Sequence, residues 1–192
     1  MNKIQIIVNN GAGTGSAVAV WKETKEYLQE NGISYNAYLT RYEKHAVKLA
    51  GQICGKIPEG PIYLLVVGGD GTINEVLNGI TDFDRVRLGV IPTGSGNDFA
   101  RNLGILRNTR EDLREITACI GQEQNGEKLQ RIDLGKVSWE GCEKPRIFGI
   151  SAGAGLDAIV CKKALHSKLK KILNRFHLGK LTYLMLTVQT LF

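Results

Sequence analysis

Two glycine-rich turns, each placed directly after a run of apolar and β-branched residues, constrain this chain more than any other feature. The first reads Leu64-Leu65-Val66-Val67-Gly68-Gly69-Asp70-Gly71-Thr72-Ile73-Asn74-Glu75. The second reads Leu88-Gly89-Val90-Ile91-Pro92-Thr93-Gly94-Ser95-Gly96-Asn97-Asp98-Phe99-Ala100-Arg101. A short apolar run of this kind reads as a strand buried on both faces, and the segment after each turn reads as a helix start. An open α/β sheet places ligands in this setting, at the carboxyl ends of strands, where helix N-termini present N–H groups to anions. Two such turns in succession predict a phosphate-bearing ligand.

The surrounding pattern agrees. Strands are expected at Ile4–Val8, Ile33–Leu39, Ile62–Val67 and Leu88–Ile91, with helices at Ala17–Glu30, Glu43–Cys54, Ile73–Ile80, Asn97–Leu103 and Glu111–Ile120. Thr72 and Glu75 have the spacing of a capping box, which would start the third helix there. Strand–helix alternation of this length predicts a Rossmann-like α/β fold with a parallel sheet covered by helices. Gly121–Lys128 is polar and reads as a linker. Beyond it, Leu129–Trp139 and Arg146–Ser151 read as two strands of a hairpin, followed by helical segments from Leu156 to Phe192. One hairpin and a few helices do not make an independent sheet domain. Residues 1–128 are therefore expected to form a nucleotide-binding domain, and 129–192 the incomplete beginning of a β-rich second domain. The apolar stretch Leu181–Phe192 is expected to drive self-association of the isolated chain, a homodimer being its simplest form.

Charge is unevenly spread. The net charge is +6, yet seven basic residues (Lys162, Lys163, Lys168, Lys170, Lys171, Arg175 and Lys180) lie in 158–192 with no acidic residue among them. The remaining 18 basic and 19 acidic residues nearly cancel, so nothing there favours nucleic-acid binding. The basic segment suits an anionic membrane surface, or equally an ordinary solvated helix face. The chain starts Met1-Asn2-Lys3 and runs straight into an apparent strand, without the layout of a signal peptide. The four cysteines are widely separated. Reduced thiols and a cytoplasmic location follow as the expectation.

A third turn, Asn9-Asn10-Gly11-Ala12-Gly13-Thr14-Gly15-Ser16, follows the first strand. A dinucleotide fingerprint would need Gly at position 16, and a Walker A loop would need Gly-Lys-Ser/Thr; neither is present. The turn is expected to face phosphate or nucleotide. In the Gly68–Gly71 turn, successive N–H groups can form an anion nest. A carboxylate at Asp70 is repulsive toward phosphate unless it faces Mg²⁺ or a hydroxyl about to lose its proton. Read alone, Asp70-Gly71 is equally a plain turn. Ser95 can donate its hydroxyl to phosphate, while Asn97 and Asp98 fit helix capping as well as ligand contact.

Gly68-Gly69-Asp70-Gly71-Thr72 with Asn74-Glu75, followed by Pro92-Thr93-Gly94-Ser95-Gly96-Asn97-Asp98-Phe99-Ala100-Arg101, closely resembles the diacylglycerol kinase and related lipid kinase family. Asn9-Asn10-Gly11-Ala12-Gly13 is similar to that family's Asn-Pro-x-Ala/Ser-Gly turn, with Asn10 in place of Pro. Arg131-Ile132-Asp133-Leu134-Gly135 resembles the strand that opens its second domain. The Gly-Gly-Asp-Gly-Thr element is also found in NAD kinases; the Asn-Asp-Phe-Ala-Arg continuation favours the lipid branch. The resemblance implies ATP- and Mg²⁺-dependent phosphorylation of a lipid hydroxyl such as that of diacylglycerol. It implies an ATP site lined by Asn9, Asn10, Gly11, Ala12, Gly13, Thr40, Gly69, Asp70, Gly71, Thr72, Ile73, Asn74, Glu75 and Ser95. Asp70 and Asp133 would organise Mg²⁺ and the reacting groups. By the same resemblance the general base belongs to a later Asp-Gly-Glu motif, which does not occur in this sequence. The 192-residue chain alone is therefore expected to bind ATP weakly and not to phosphorylate lipid. A soluble NAD kinase-like phosphotransferase and a non-catalytic nucleotide-binding protein are the alternatives.

Overall fold

The computed structural model describes residues 3–11, 16–94, 96–105, 108–122 and 129–166. The chain divides into two compact units, 1–150 and 151–192. In the first, β1 (Ile4–Val8), α1 (Ser16–Glu30), β2 (Tyr35–Leu39), α2 (His45–Lys56), β3 (Ile62–Gly68), α3 (Asp70–Leu77), β4 (Val86–Pro92), α4 (Asp98–Asn102) and α5 (Thr109–Gln122) follow in order, and then the strands β5 (Gly135–Val137) and β6 (Arg146–Phe148). Of the second unit, helix α6 (Leu156–His166) is described; the expected helices beyond it lie outside the described residues.

The four long strands form one parallel sheet in the order β2-β1-β3-β4. Successive side chains on a strand point to opposite faces, so the apolar runs build two cores. Ile4, Ile6, Val8, Leu65, Val67 and Ile91 pack with Trp21 and Leu28 of α1 and Leu113 of α5. Ile7, Ile62, Leu64, Val66 and Val90 pack on the other face with Ala46, Leu49, Ala50 and Ile53 of α2, Ile73, Val76 and Leu77 of α3, and Phe99 and Ala100 of α4. The result is a three-layer α/β/α unit, the expected fold class. Arg110 of α5 reaches across to α1, where its guanidinium lies 2.8 Å from Glu30 and holds that carboxyl below its ordinary range by hydrogen bonding.

Several boundaries differ from the sequence pattern by a few residues. Helix α3 starts at Asp70 rather than Ile73, because the Gly69 carbonyl already accepts the Thr72 and Ile73 N–H groups, at 2.9 and 3.1 Å. Thr72 is therefore inside the helix and forms no capping box with Glu75. The two strands of the hairpin are three residues each, shorter than the apolar runs that announced them. They pair antiparallel, Gly135 opposite Phe148, and a side chain at Gly135 would collide with the Phe148 ring. Among the described residues no helix is long and apolar enough to cross a membrane.

Gly79, two residues past α3, lies against α2, where an added Cβ would press into the Val47 carbonyl oxygen and lie 2.8 Å from Ala50 Cβ. Gly55, near the end of α2, has nothing within 4 Å of the same position. Gly79→Ala is expected to destabilise the unit by about 3 kcal/mol, in the range of overpacked cores. Gly55→Ala should be neutral or gain about 0.5 kcal/mol from helix propensity. Denaturant unfolding of the two variants against the parent measures the contrast.

Candidate nucleotide crevice at the carboxyl end of the sheet

Strand order β2-β1-β3-β4 means that the chain leaves β1 toward one side and later returns to its other side. That reversal, between β1 and β3, is the topological switch point at which open α/β sheets open a crevice. The residues after β1 and after β3 belong to the Asn9 turn and the Gly68–Gly71 turn, so this topology sets those two turns side by side. The third partner is the turn after β4, because β4 lies beside β3 with Gly68 paired to Pro92.

The turns are sewn to one another. The Asn9 N–H donates to Val67 O at 2.9 Å, and the Thr93 N–H to Gly68 O at 3.1 Å, so the strand ladder continues past each strand end. Asn9 Nδ2 donates to Thr72 Oγ1 at 2.9 Å, and Asn9 Oδ1 accepts the Gly11 N–H at 3.0 Å. Ser16 Oγ donates to the Thr93 carbonyl at 3.1 Å. Gly69 and Gly94 touch backbone to backbone: a Cβ on Gly69 would sit 3.2 Å from Gly94 Cα. Asn97 adopts a left-handed conformation (φ 53°), which asparagine tolerates. Its side chain closes on Gly94, accepting the N–H at 2.9 Å and donating to the carbonyl at 2.8 Å.

Asp70 opens α3, and its carboxylate crosses to the other turn. Oδ2 accepts the Asp98 N–H at 3.2 Å and Oδ1 accepts the Phe99 N–H at 3.1 Å. The N–H groups of Asp70 and Gly71 have no acceptor among the described residues, and a Cβ at Gly71 would meet open space. Two free donors at a helix N-terminus beside a glycine with clearance fit the oxygens of a phosphate. Asp70 offers a carboxylate with lone pairs beyond those its two N–H bonds use. Mg²⁺ is commonly held by one or two carboxylates plus substrate phosphates, so the residues are compatible with it. Among the described residues no group of three or more His, Cys, Asp or Glu side chains gathers to hold a metal by itself.

The other expected site residues divide between lining and support. Thr40 stands at the end of β2, its N–H on Val8 O at 2.9 Å, next to the turn that follows β1. Gly11 is exposed, and Asn10 is half-buried with Oδ1 enclosed and unpartnered. Ile73 is 2% exposed and belongs to the core. Asn74 donates to Ile147 O of β6 at 3.2 Å. Asp133 is exposed on the run before β5, with no hydrogen bond or ion pair to any described residue. Ala12, Gly13 and Ser95 lie outside the described residues.

Glu75 has a role that its motif did not suggest. Its two carboxylate oxygens accept the Lys44 N–H at 3.0 Å and the Ala46 N–H at 3.1 Å, capping α2 from a neighbouring helix. Lys44, the residue before α2, has φ 64°, a conformation that costs a non-glycine residue about 1 kcal/mol or more and must be held in place. His45 Nδ1 accepts the Arg41 N–H at 3.1 Å and tightens the same turn. Glu75 thereby fixes the segment that carries Thr40. Asn78 was also missed: its amide donates to Ile147 O at 2.8 Å and accepts the Ile147 N–H at 3.0 Å. Glu75→Ala is expected to destabilise the unit by about 1–2 kcal/mol, since a charged cap is removed from two N–H groups. Amide exchange should accelerate at Lys44 and Ala46 before it does in β1 and β3, which hydrogen-exchange measurement will test.

Residues 3–137 match the diacylglycerol kinase catalytic domain family. The chain is 30% identical over 180 residues to YtlR of Bacillus subtilis (strain 168), whose name marks it as a candidate lipid kinase; the match covers 92% of this chain and 55% of that protein. It is 36% identical over 144 residues to the diacylglycerol kinase of the same organism, covering 72% of this chain and 41% of the relative. A solved diacylglycerol kinase structure from Bacillus anthracis str. Sterne superposes with a TM-score of 0.51 at 30% identity, covering 60% of this chain and 39% of that one. The chain thus spans about half the length of the curated relatives it matches. With the glycine turns, the switch point and the three-layer sheet in agreement, the chain belongs to the diacylglycerol kinase catalytic domain family.

Proposed function

We propose that the crevice between β1 and β3 binds ATP with Mg²⁺, and that a protein built on this chain transfers the γ-phosphoryl group to a lipid hydroxyl, diacylglycerol being the first substrate to offer. The observation that carries this reading is the backbone contact of Gly69 with Gly94, which sets two glycine turns side by side next to the N–H groups of Asp70 and Gly71, which have no acceptor among the described residues. Asn9, Asn10, Gly11, Thr40, Gly69, Asp70, Gly71 and Thr72 would line or border the nucleotide, together with Ala12, Gly13 and Ser95. Ile73, Asn74 and Glu75 would support it from behind. Asp70 would face Mg²⁺ with the lone pairs its N–H bonds leave, and Asp133 is the second carboxylate proposed for the metal and the reacting groups. Mg²⁺ would neutralise the phosphate charge that develops in transfer. Residues 1–128 would serve as the nucleotide-binding domain and 129–192 as the start of the lipid-binding part.

The chemistry is a displacement at phosphorus. The lipid hydroxyl oxygen bonds to the γ-phosphorus, the bond to the β–γ bridging oxygen breaks, and the hydroxyl proton leaves to a base. Turnover therefore needs a base in addition to the residues named here. Radiolabelled ATP offered to the full-length protein with Mg²⁺, and with either diacylglycerol in micelles or NAD, is the test. Label should pass to diacylglycerol; label passing to NAD alone would assign a soluble NAD kinase-like activity, and label passing to neither would reduce the role to binding. The 192-residue chain by itself should show at most weak ATP binding and no lipid turnover.

The basic segment is proposed to meet an anionic membrane from the cytoplasmic side. Lys162 and Lys163 are exposed on α6; Lys168, Lys170, Lys171, Arg175 and Lys180 lie outside the described residues. Each basic residue near an anionic bilayer contributes about 1 kcal/mol, screened by salt. Co-sedimentation should be strong with anionic vesicles at low salt, lost at high salt, and absent with neutral vesicles. Equal binding to both vesicle types would refute the electrostatic contact.

A further inference from the structure

Asp70 presents a puzzle that a metal does not fully settle. It is an anion at the mouth of a site fitted to another anion, and two backbone N–H groups hold it in place. Both of its oxygens are engaged with backbone N–H groups of the opposite turn, Oδ2 with Asp98 at 3.2 Å and Oδ1 with Phe99 at 3.1 Å. The neighbouring glycines are shaped around this crossing. A Cβ on Gly96 would come 3.1 Å from Asp70 Oδ2, and one on Gly94 would come 3.1 Å from Gly69 Cα. Arg101 closes the far side, donating to the Gly96 carbonyl at 2.9 Å and to Asp98 Oδ1 at 2.7 Å.

We propose that Asp70 is a positioning residue, a latch that joins the two glycine turns, and that nucleotide affinity depends on this latch whether or not Mg²⁺ is present. The proposal rests on the nucleotide reading above and adds to it what holds the two turns in register. Hydrogen bonds from N–H groups to a carboxylate are stronger than those between neutral groups. The two N–H dipoles point their positive ends at the carboxylate and so offset the repulsion that it would otherwise exert on a phosphate. Without the latch, the turn after β4 keeps its internal Asn97–Gly94 closure but loses the side-chain tie from Asp70 that fixes the start of α4. The donor groups of Asp70 and Gly71 would then face a turn held by its backbone contacts with Gly68 and Gly69 and by the packing of Phe99 and Ala100, without the tie that sets the N–H groups of Asp98 and Phe99.

The experiment uses the full-length protein with Asp70→Asn and Asp70→Ala. Asn keeps one acceptor oxygen and turns an N–H toward the second donor; Ala removes both bonds. In the ligand-free protein, amide exchange at Asp98 and Phe99 should quicken about tenfold in the Asn variant and more in the Ala variant. Exchange in β1 and β3 should stay at the parental rate, which reports that the sheet remains folded. ADP affinity measured by calorimetry in EDTA should fall about tenfold for Asn, and further for Ala. Two results overturn the latch. One is unchanged exchange at Asp98 and Phe99 in both variants. The other is parental ADP affinity in EDTA with only the Mg²⁺-dependent gain in affinity lost, the pattern of a residue that acts through the metal alone. Should the Ala variant unfold, the Asn variant decides. Should the parent protein bind no ADP, the nucleotide reading fails on its own, and the exchange rates still judge the latch.

Discussion

Helix α3 is eight residues long, too short to be stable in water by itself, and the remainder of the crevice is arranged by holding it still. Its apolar side chains Ile73, Val76 and Leu77 fix it to the sheet and to α2. Its polar side chains then do something apolar packing cannot: they set its neighbours at defined points. Thr72 accepts from Asn9 behind β1, Asp70 takes the start of α4, Glu75 takes the start of α2, and Asn74 reaches β6. The hydrophobic face supplies adhesion and the polar residues supply register. A site that must present N–H groups at fixed positions needs both, because dispersion contacts alone tolerate sliding.

The glycines divide by purpose once their surroundings are known. Gly69 and Gly94 are glycine because two backbones pass within contact distance, and Gly68 because Thr72 fills the space above it. None of these three has a positive φ. Gly71 alone among the first turn's glycines has clearance, which makes it the position where an outside group can approach. Counting glycines in the motif therefore overstates the contact surface; most of them serve chain-to-chain approach.

Much of this was legible in the sequence. The four long strands were announced by apolar runs and fall within about three residues of the expected limits, because burial on both faces leaves little else that Ile4–Val8 or Ile62–Val67 could do. The glycine turns identified the carboxyl edge for the same reason. The capping box at Thr72 and Glu75 misled because both residues bond to parts of the chain distant in sequence: Asn9 for one, Lys44 and Ala46 for the other. Spacing rules see only local partners. The hairpin strands were overextended because Leu129 and Ile132 are apolar but exposed, and alternation cannot tell a buried residue from one that is merely hydrophobic. Asn78, with no motif around it, carried no signal at all, since its importance lies in the geometry of one peptide across from it.

That peptide has a consequence for solubility. A two-stranded ribbon has two open edges, and open edges invite pairing with foreign strands. At Ile147 the side-chain amide of Asn78 exchanges both hydrogen bonds with the backbone, as a neighbouring strand would. The helix thus occupies the middle of an edge that an intruding chain would need. It does so with a group that cannot propagate a ladder, so the small hairpin is shielded from templated aggregation at the residue where pairing would be easiest to begin.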